Sequence, residues 1–259
     1  MPSTTANVLL ANLRKVATEM RRYLPNTIST VVTFYAIFLM FFLGIQVLGA
    51  PENAETNIQY VIVSTALWFL ALIAMQGIGW EITLEATRGT LEQLYMSPVG
   101  AWRILLARMV GTVLVNLVII ALMLFLSMAT ARQWLNLDLV TLAPILLLTI
   151  TGMLGVGFMV AGLSLIYKQV DSLLQIAQFV FLALVAAPLT ALPLLELAPV
   201  VKGADMVREV MVESKPLTGF SGLDWLSLAA NAAVYFLLGV FLYSRAERRA
   251  MNRGLLGQY

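Results

Sequence analysis

The sequence predicts an all-α integral membrane protein with six transmembrane helices. Three observations predict it. The 259 residues are 60% hydrophobic and only 12% charged, whereas a soluble domain carries about 25% charged residues. Six apolar runs reach the roughly 20 residues that a helix needs to cross a hydrocarbon core about 30 Å thick. Lys and Arg fall unevenly on the two sides that these runs define, twelve against four, and such an asymmetry orients membrane helices.

The spans lie at about 26–49, 58–80, 104–130, 139–167, 172–193 and 224–244. Inside lipid the backbone has no water to bond, so each run is forced into helix. The links 50–57, 131–138 and 168–171 are short, which makes consecutive helices antiparallel neighbours. The first run follows Arg14, Lys15, Arg21 and Arg22. It is too long for the 7–15-residue apolar core of a signal peptide and reads as an uncleaved anchor. The basic side holds these four residues, Arg88, Arg103, Arg108, Lys168 and the tail arginines 245, 248, 249 and 253. Both termini and the 80–103 stretch are therefore expected in the cytoplasm. Tyr23, Trp80, Trp102, Tyr167 and Tyr243 mark the inner interface, and Tyr60, Trp134 and Trp225 the outer one.

The long link 194–223 is expected outside. Within it Met206, Val207, Val210 and Met211 share one helical face, and Asp205, Glu209 and Glu213 another. Pro188, Pro193 and Pro199 interrupt helix around it. One or two short helices dipping into or lying on the outer leaflet are expected, the alternative being a plain interfacial loop. The whole chain is a single membrane domain.

Several functions are excluded by what is missing. There is no His and no Cys, which removes disulfides, zinc sites, thiolate nucleophiles and Ser-His-Asp triads. A net charge of +2 gives no argument for nucleic acid. No span carries Asp, Glu, Lys or Arg near its middle, where ion-coupled carriers place them; Arg108 lies within a turn or two of an end and can snorkel. None of the four lysines follows Gly, so no phosphate-binding loop of the G-x-x-x-x-G-K-[ST] kind exists. The glycines 152, 155, 157 and 162 sit inside an apolar span and read as close helix packing. Polar residues left in the spans are Gln46, Gln76, Asn116, Gln175, Gln178 and Asn231. Asp171, Gln175 and Gln178 share one face. They are either interhelical hydrogen-bonding groups or a polar stripe lining a possible substrate path.

The stretch WEITLEATRGTLEQLYMSPVGAWR, residues 80–103, is charged where its surroundings are apolar. The second span can continue to Thr87, and in an unbroken helix Glu81, Glu85, Arg88 and Glu92 would share a face. Gly89 allows a sharp bend. Thr90 can N-cap a short helix, with Gln93 completing a capping box, and on that helix Leu91, Leu94 and Tyr95 form an apolar face. Ser97 and Pro98 give a second start signal, N-cap and first helical position, for the third span. A short capped helix with an apolar face is a shape that docks into a groove of another protein; without a partner it is a surface-lying loop.

Residues 85–108, EATRGTLEQLYMSPVGAWRILLAR, resemble the signature of type-2 ABC exporter permeases, in which Glu-x-x-x-Gly-Thr-Leu-Glu-x-Leu…Ser-Pro forms the cytoplasmic loop between the second and third spans. The resemblance extends to the basic N-terminal segment, the six spans, the proline-punctuated outer segment and the basic tail RAERRAMNRGLLGQY. It implies an amphipathic N-terminal helix at about 8–23, a cytoplasmic coupling helix and short outer-leaflet helices before span six. It implies a half-transporter in the cell membrane that exports drugs, lipids or glycolipids. A second permease chain, self or homologue, and a separate ABC-type ATPase subunit would be its partners, with the lipid bilayer around them. The chain itself would hold no cofactor; ATP and Mg would sit on the partner subunit. Leu91, Leu94 and Tyr95 would enter the ATPase groove, and Glu85, Arg88 and Glu92 would pair with charges at its rim. The alternative is a stand-alone six-span channel or facilitator. A membrane enzyme would have to work without His, Cys or a mid-membrane carboxylate.

Overall fold

The computed structural model describes residues 10–15, 18, 21–48, 54–96, 101–167, 170–187, 189 and 193–252; for Leu48, Ala54, Ala86, Thr87, Glu92 and Asp171 it describes the backbone alone. The elements are α1 (Leu24–Leu48), α2 (Ala54–Thr87), α3 (Leu91–Tyr95), α4 (Ala101–Ala131), α5 (Leu139–Tyr167), α6 (Asp171–Ala186), a 3-10 turn (Pro193–Leu197), α7 (Val201–Met211), a second 3-10 turn (Leu217–Gly219) and α8 (Gly222–Asn252). No strand occurs among the described residues. Five helices, α1, α2, α4, α5 and α8, are long and apolar enough to cross a membrane. The chain is a multi-pass membrane protein.

The expected fifth span, 172–193, is corrected. The helix there is α6, whose 16 residues rise only about 24 Å, short of the roughly 30 Å core. Ala187 is already extended, at φ −66° and ψ 132°, because the ring of Pro188 disfavours helix in the residue before it. Apolar composition runs on past Pro188; the helix does not. By contrast α2 runs beyond the span 58–80, from Ala54 to Thr87, the end point to which the sequence let it continue. Its 34 residues span about 50 Å, longer than a hydrocarbon core is thick, and its last turns form a stalk.

The bundle is organised around α2. In its most apolar stretch 78% of the residues are buried, against 11% in α1 and 17% in α8. α1, α4, α5 and α6 all pack on α2, and α5 and α8 form the most extensive pairing. That pairing explains the glycine-rich stretch of α5. A Cβ on Gly155 would collide with the Tyr235 carbonyl, and one on Gly239 with the carbonyl of Gly155. A Cβ added to Gly152 or Gly162 would sit 3.3 Å from Ala232 or Ala246, and one on Gly157 would collide with the Ala74 carbonyl on α2. Small residues let the backbones touch, the expected packing mode where lipid supplies no hydrophobic drive between helices. Outward faces stay greasy, as with Val32, Met40, Val118, Phe125, Ile176, Phe179, Val234 and Phe241.

The segment after α6 is a packed cap rather than a surface loop. On α7 the face predicted to be apolar is buried: Met206, Val207, Val210 and Met211 are each at most 5% exposed. Gly203 packs on Thr149 of α5 so closely that a Cβ there would collide with its hydroxyl. The Asn231 amide donates to the carbonyls of Glu196, Leu197 and Ala198 (3.2, 3.0 and 3.3 Å), and the Tyr235 hydroxyl to that of Leu197 (3.1 Å). Lys202 bridges Glu196 (3.2 Å) and Asp224 (2.8 Å). The polar Asn231 thus ties α8 to the 3-10 turn before α7. Asp138 caps α5 through Val140 N (3.1 Å) and the Thr141 hydroxyl (2.5 Å). The Thr141 bond, with the backbone amides beside it, holds the Asp138 carboxyl below its ordinary range.

Of the expected N-terminal helix at 8–23, residues 10–15 are helical and lie on α4, where a Cβ on Gly111 would sit 3.5 Å from Leu13 N. The signals at Ser97 and Pro98, Lys168 and the end of the basic tail lie outside the described residues.

Backbone contact at the α5–α8 crossing makes a specific demand. Gly155→Ala is expected to cost about 1–3 kcal/mol by overpacking, read as a lowered thermal unfolding midpoint in detergent. Gly44→Ala on α1, where no atom lies within 4 Å of an added Cβ, is expected to leave the midpoint unchanged or raise it, since Ala favours helix over Gly.

Candidate functional site

The stalk of α2 ends at Thr87, and Arg88–Gly89 make the turn. Gly89 takes φ +70°, a left-handed conformation that glycine enters without steric cost. Arg88 N still donates to the Leu84 carbonyl (3.1 Å), so the bend comes after Arg88, and it is the backbone at Glu92 that departs from the helix carrying Glu81 and Glu85. Thr90 stands directly before α3, and its carbonyl accepts the first helical bond, from Leu94 N (3.2 Å). Its hydroxyl is turned backwards, donating to the Glu85 carboxylate, with the Glu85 carbonyl also close.

The two carboxylates that remain on the stalk converge on one cation. Arg108 of α4 places Nη1 at 2.5 Å from Glu85 Oε1 and 3.0 Å from Glu81 Oε2, with all three side chains no more than 21% exposed. The expectation that Arg108 snorkels to water is corrected: its charge is met by α2. Partial burial strengthens such a pair relative to a surface one and makes the loss of either partner costly. The cluster bolts the start of α4 to the stalk and, through Thr90, to the turn. Glu81 and Glu85 one turn apart, with an isolated Arg near the same end of the next antiparallel helix, were a readable sign of this contact.

The apolar face of α3 is also corrected. Leu91 is 1% and Leu94 7% exposed; both belong to the chain's own core. The Tyr95 hydroxyl meets that of Tyr243 on α8 at 2.8 Å, and Tyr243, itself buried, packs edge-on to Phe158 of α5 with ring centroids 5.5 Å apart. Outward from this turn stand Arg88, Gly89, Gln93 and Met96, the last 74% exposed. The Glu92 side chain, Ser97 and Pro98 lie outside the described residues.

A groove of about 730 Å³ opens beside the stalk. Gln175 and Gln178 of α6 line it together with Gln76 and Trp80 of α2, Thr112 and Asn116 of α4, and an apolar wall that includes Phe34, Phe69 and Ile73. Four of the six polar span residues named from sequence thus meet in one place. Asn116 donates to the Thr112 carbonyl (2.8 Å), and the Trp68 indole to the Gln178 carbonyl (2.9 Å), fixing the walls. Asp171, expected on the same face as the two glutamines, has a side chain outside the described residues. A mostly apolar cleft of this size with a few convergent amides suits an amphipathic small molecule.

Residues 46–241 match the family model described as ABC-2 family transporter protein. No curated protein matches the chain. The family match covers well over half of the 259 residues and takes in the stalk, the turn, the groove and the cap; the chain belongs to the ABC-2 family of transporter proteins and is a component of membrane transport.

Proposed function

We propose that the chain is the permease subunit of an ATP-driven exporter moving a drug-like, lipid or glycolipid substrate out of the cytoplasm. In this reading ATP and Mg are handled by a separate ABC-type ATPase subunit, and a second permease chain, self or homologue, completes the path. Both termini and α3 face the cytoplasm, as the Lys and Arg distribution favours.

The observation that carries the reading is the projecting turn at 88–96, held by the Glu81–Arg108–Glu85 cluster at the end of a stalk longer than a bilayer is thick. The division of labour differs from the one the resemblance implied. Leu91, Leu94 and Tyr95 anchor the coupling helix to its own bundle. Arg88, Gln93 and Met96 face the ATPase, Met96 as an adaptable apolar contact. Force on this turn passes to α2 and α4 through Arg108 and to α8 through Tyr95–Tyr243. The groove with Gln76, Asn116, Gln175 and Gln178 is the substrate path; amides at its wall and aromatic rings beside them fit a molecule that is partly polar and partly greasy.

Co-expression with a cognate ATPase tests the coupling role. Arg88→Glu combined with Met96→Glu is expected to lower stimulated ATP hydrolysis several-fold while leaving the thermal midpoint of the permease intact. Leu91→Arg is expected to lower the midpoint itself, because the side chain is buried. Wild-type stimulation by the surface double variant removes the coupling assignment.

Arg108→Gln is expected to leave two carboxylates facing each other without a cation and to uncouple hydrolysis from transport. The measurement is the ratio of substrate exported to ATP consumed in proteoliposomes. Gln175→Ala with Gln178→Ala is expected to raise the substrate concentration for half-maximal export several-fold without changing basal ATP hydrolysis; unchanged export kinetics make the glutamines packing residues only.

A further inference from the structure

A second cavity, of about 550 Å³, lies at the opposite end of α2 from the coupling turn, under α7. It is lined by Asn57, Tyr60 and Ser64 of α2, by Arg208, and by the carboxylate-bearing residues Asp205, Glu209 and Glu213, with Ile45 and Leu189 on its apolar side. Arg208 is only 7% exposed. Its Nη1 reaches the Ala187 carbonyl at a long 3.4 Å. Its Nε and Nη2 are buried and have no hydrogen-bond partner among the described residues.

A buried guanidinium with two idle donors is costly, because it has given up water and gained little in exchange. Nε and Nη2 lie on one edge of the planar fork, the edge that matches two oxygens of a phosphate or carboxylate. Asp205 lies one turn before Arg208 and forms no ion pair with it among the described residues. Glu209 is bridged to Lys215 at 2.6 Å, and Glu213 is exposed at the rim. A simple anion entering here meets three carboxylates of like sign. A ligand carrying its own cation does not.

We infer that this cavity binds a zwitterionic headgroup, the Arg208 guanidinium turning its unpartnered Nε–Nη2 edge from its packed position onto the anionic oxygens while Asp205 and Glu213 meet the ammonium. The chemistry is that of an ethanolamine or choline phosphate. The apolar side formed by Ile45 and Leu189 favours a headgroup carried on acyl chains over the free compound. Binding at this site requires neither ATP nor transport, so it stands apart from the coupling role of the turn.

The test is calorimetric titration of the purified full chain in detergent with dihexanoyl phosphatidylcholine, dihexanoyl phosphatidate and phosphocholine. Wild type is expected to bind the phosphatidylcholine and to prefer it over phosphatidate. Arg208→Gln is expected to weaken that binding at least ten-fold, and Arg208→Lys less. Glu213→Gln, at an exposed position that folding does not depend on, is expected to erase the preference for the zwitterion. Binding of phosphocholine as tight as that of the lipid also supports the chemistry and assigns a soluble source; much weaker binding assigns a membrane source. Three results overturn the proposal: no binding of any probe to wild type, wild-type affinity in Arg208→Gln, or an unchanged preference in Glu213→Gln.

Discussion

The contact on which the rest of the molecule depends is the backbone crossing of α5 and α8. Gly155 and Gly239 bring two main chains together where any side chain would hold them apart. In lipid the helices gain nothing by hiding apolar surface from water, so association rests on close van der Waals fit. Once this pair is closed, Tyr243 is delivered to the underside of α3, Gly203 is delivered to Thr149, and Asn231 to the 3-10 turn. The turn at 88–96 and the cap around α7 are both positioned from one seam.

α2 is the complementary element. It is the buried helix on which α1, α4, α5 and α6 pack, yet it leaves the bundle at one end as a charged stalk. The two properties belong together. Apolar residues from Ile58 to Ile82 fix its place in the core, and Glu81 and Glu85 then emerge where the bilayer no longer forbids charge. Arg108 converts that exit into a joint between α2 and α4. The groove lined by Gln76, Asn116 and Gln178 lies beside the joint, so the charged cluster and the groove have α2 and α4 in common, with α1 and α6 completing the groove.

What could be read from the sequence follows local rules. The fourth span begins and ends where hydropathy placed it, and the bend at Gly89 was legible because few residues other than glycine accept a positive φ. The two faces of α7 were legible from spacing alone. The convergence of Gln175 and Gln178 with other polar span residues was visible only as a stripe on one helix. What failed to show was tertiary. Leu91 and Leu94 were seen to share a face, but an apolar face on a five-residue helix serves its own core or a partner equally well, and the deciding residue, Tyr243, lies 148 positions from Tyr95. Arg108 looked like a snorkelling side chain because its partners sit on another helix. The fifth span was overextended because hydropathy averages across Pro188, whereas backbone geometry does not.

Helix α8 is gripped at two levels by hydroxyl and amide groups: by Tyr95 on Tyr243, and by Asn231 and Tyr235 on the chain before α7. Between Tyr243 and Asn231 lie about three turns of uninterrupted helix, roughly 18 Å. A helix is stiff along its axis, so these grips act as the two ends of a pushrod. In the proposed coupling, a displacement of the turn at 88–96 would therefore be handed along α8 to the 3-10 turn at Pro193–Leu197.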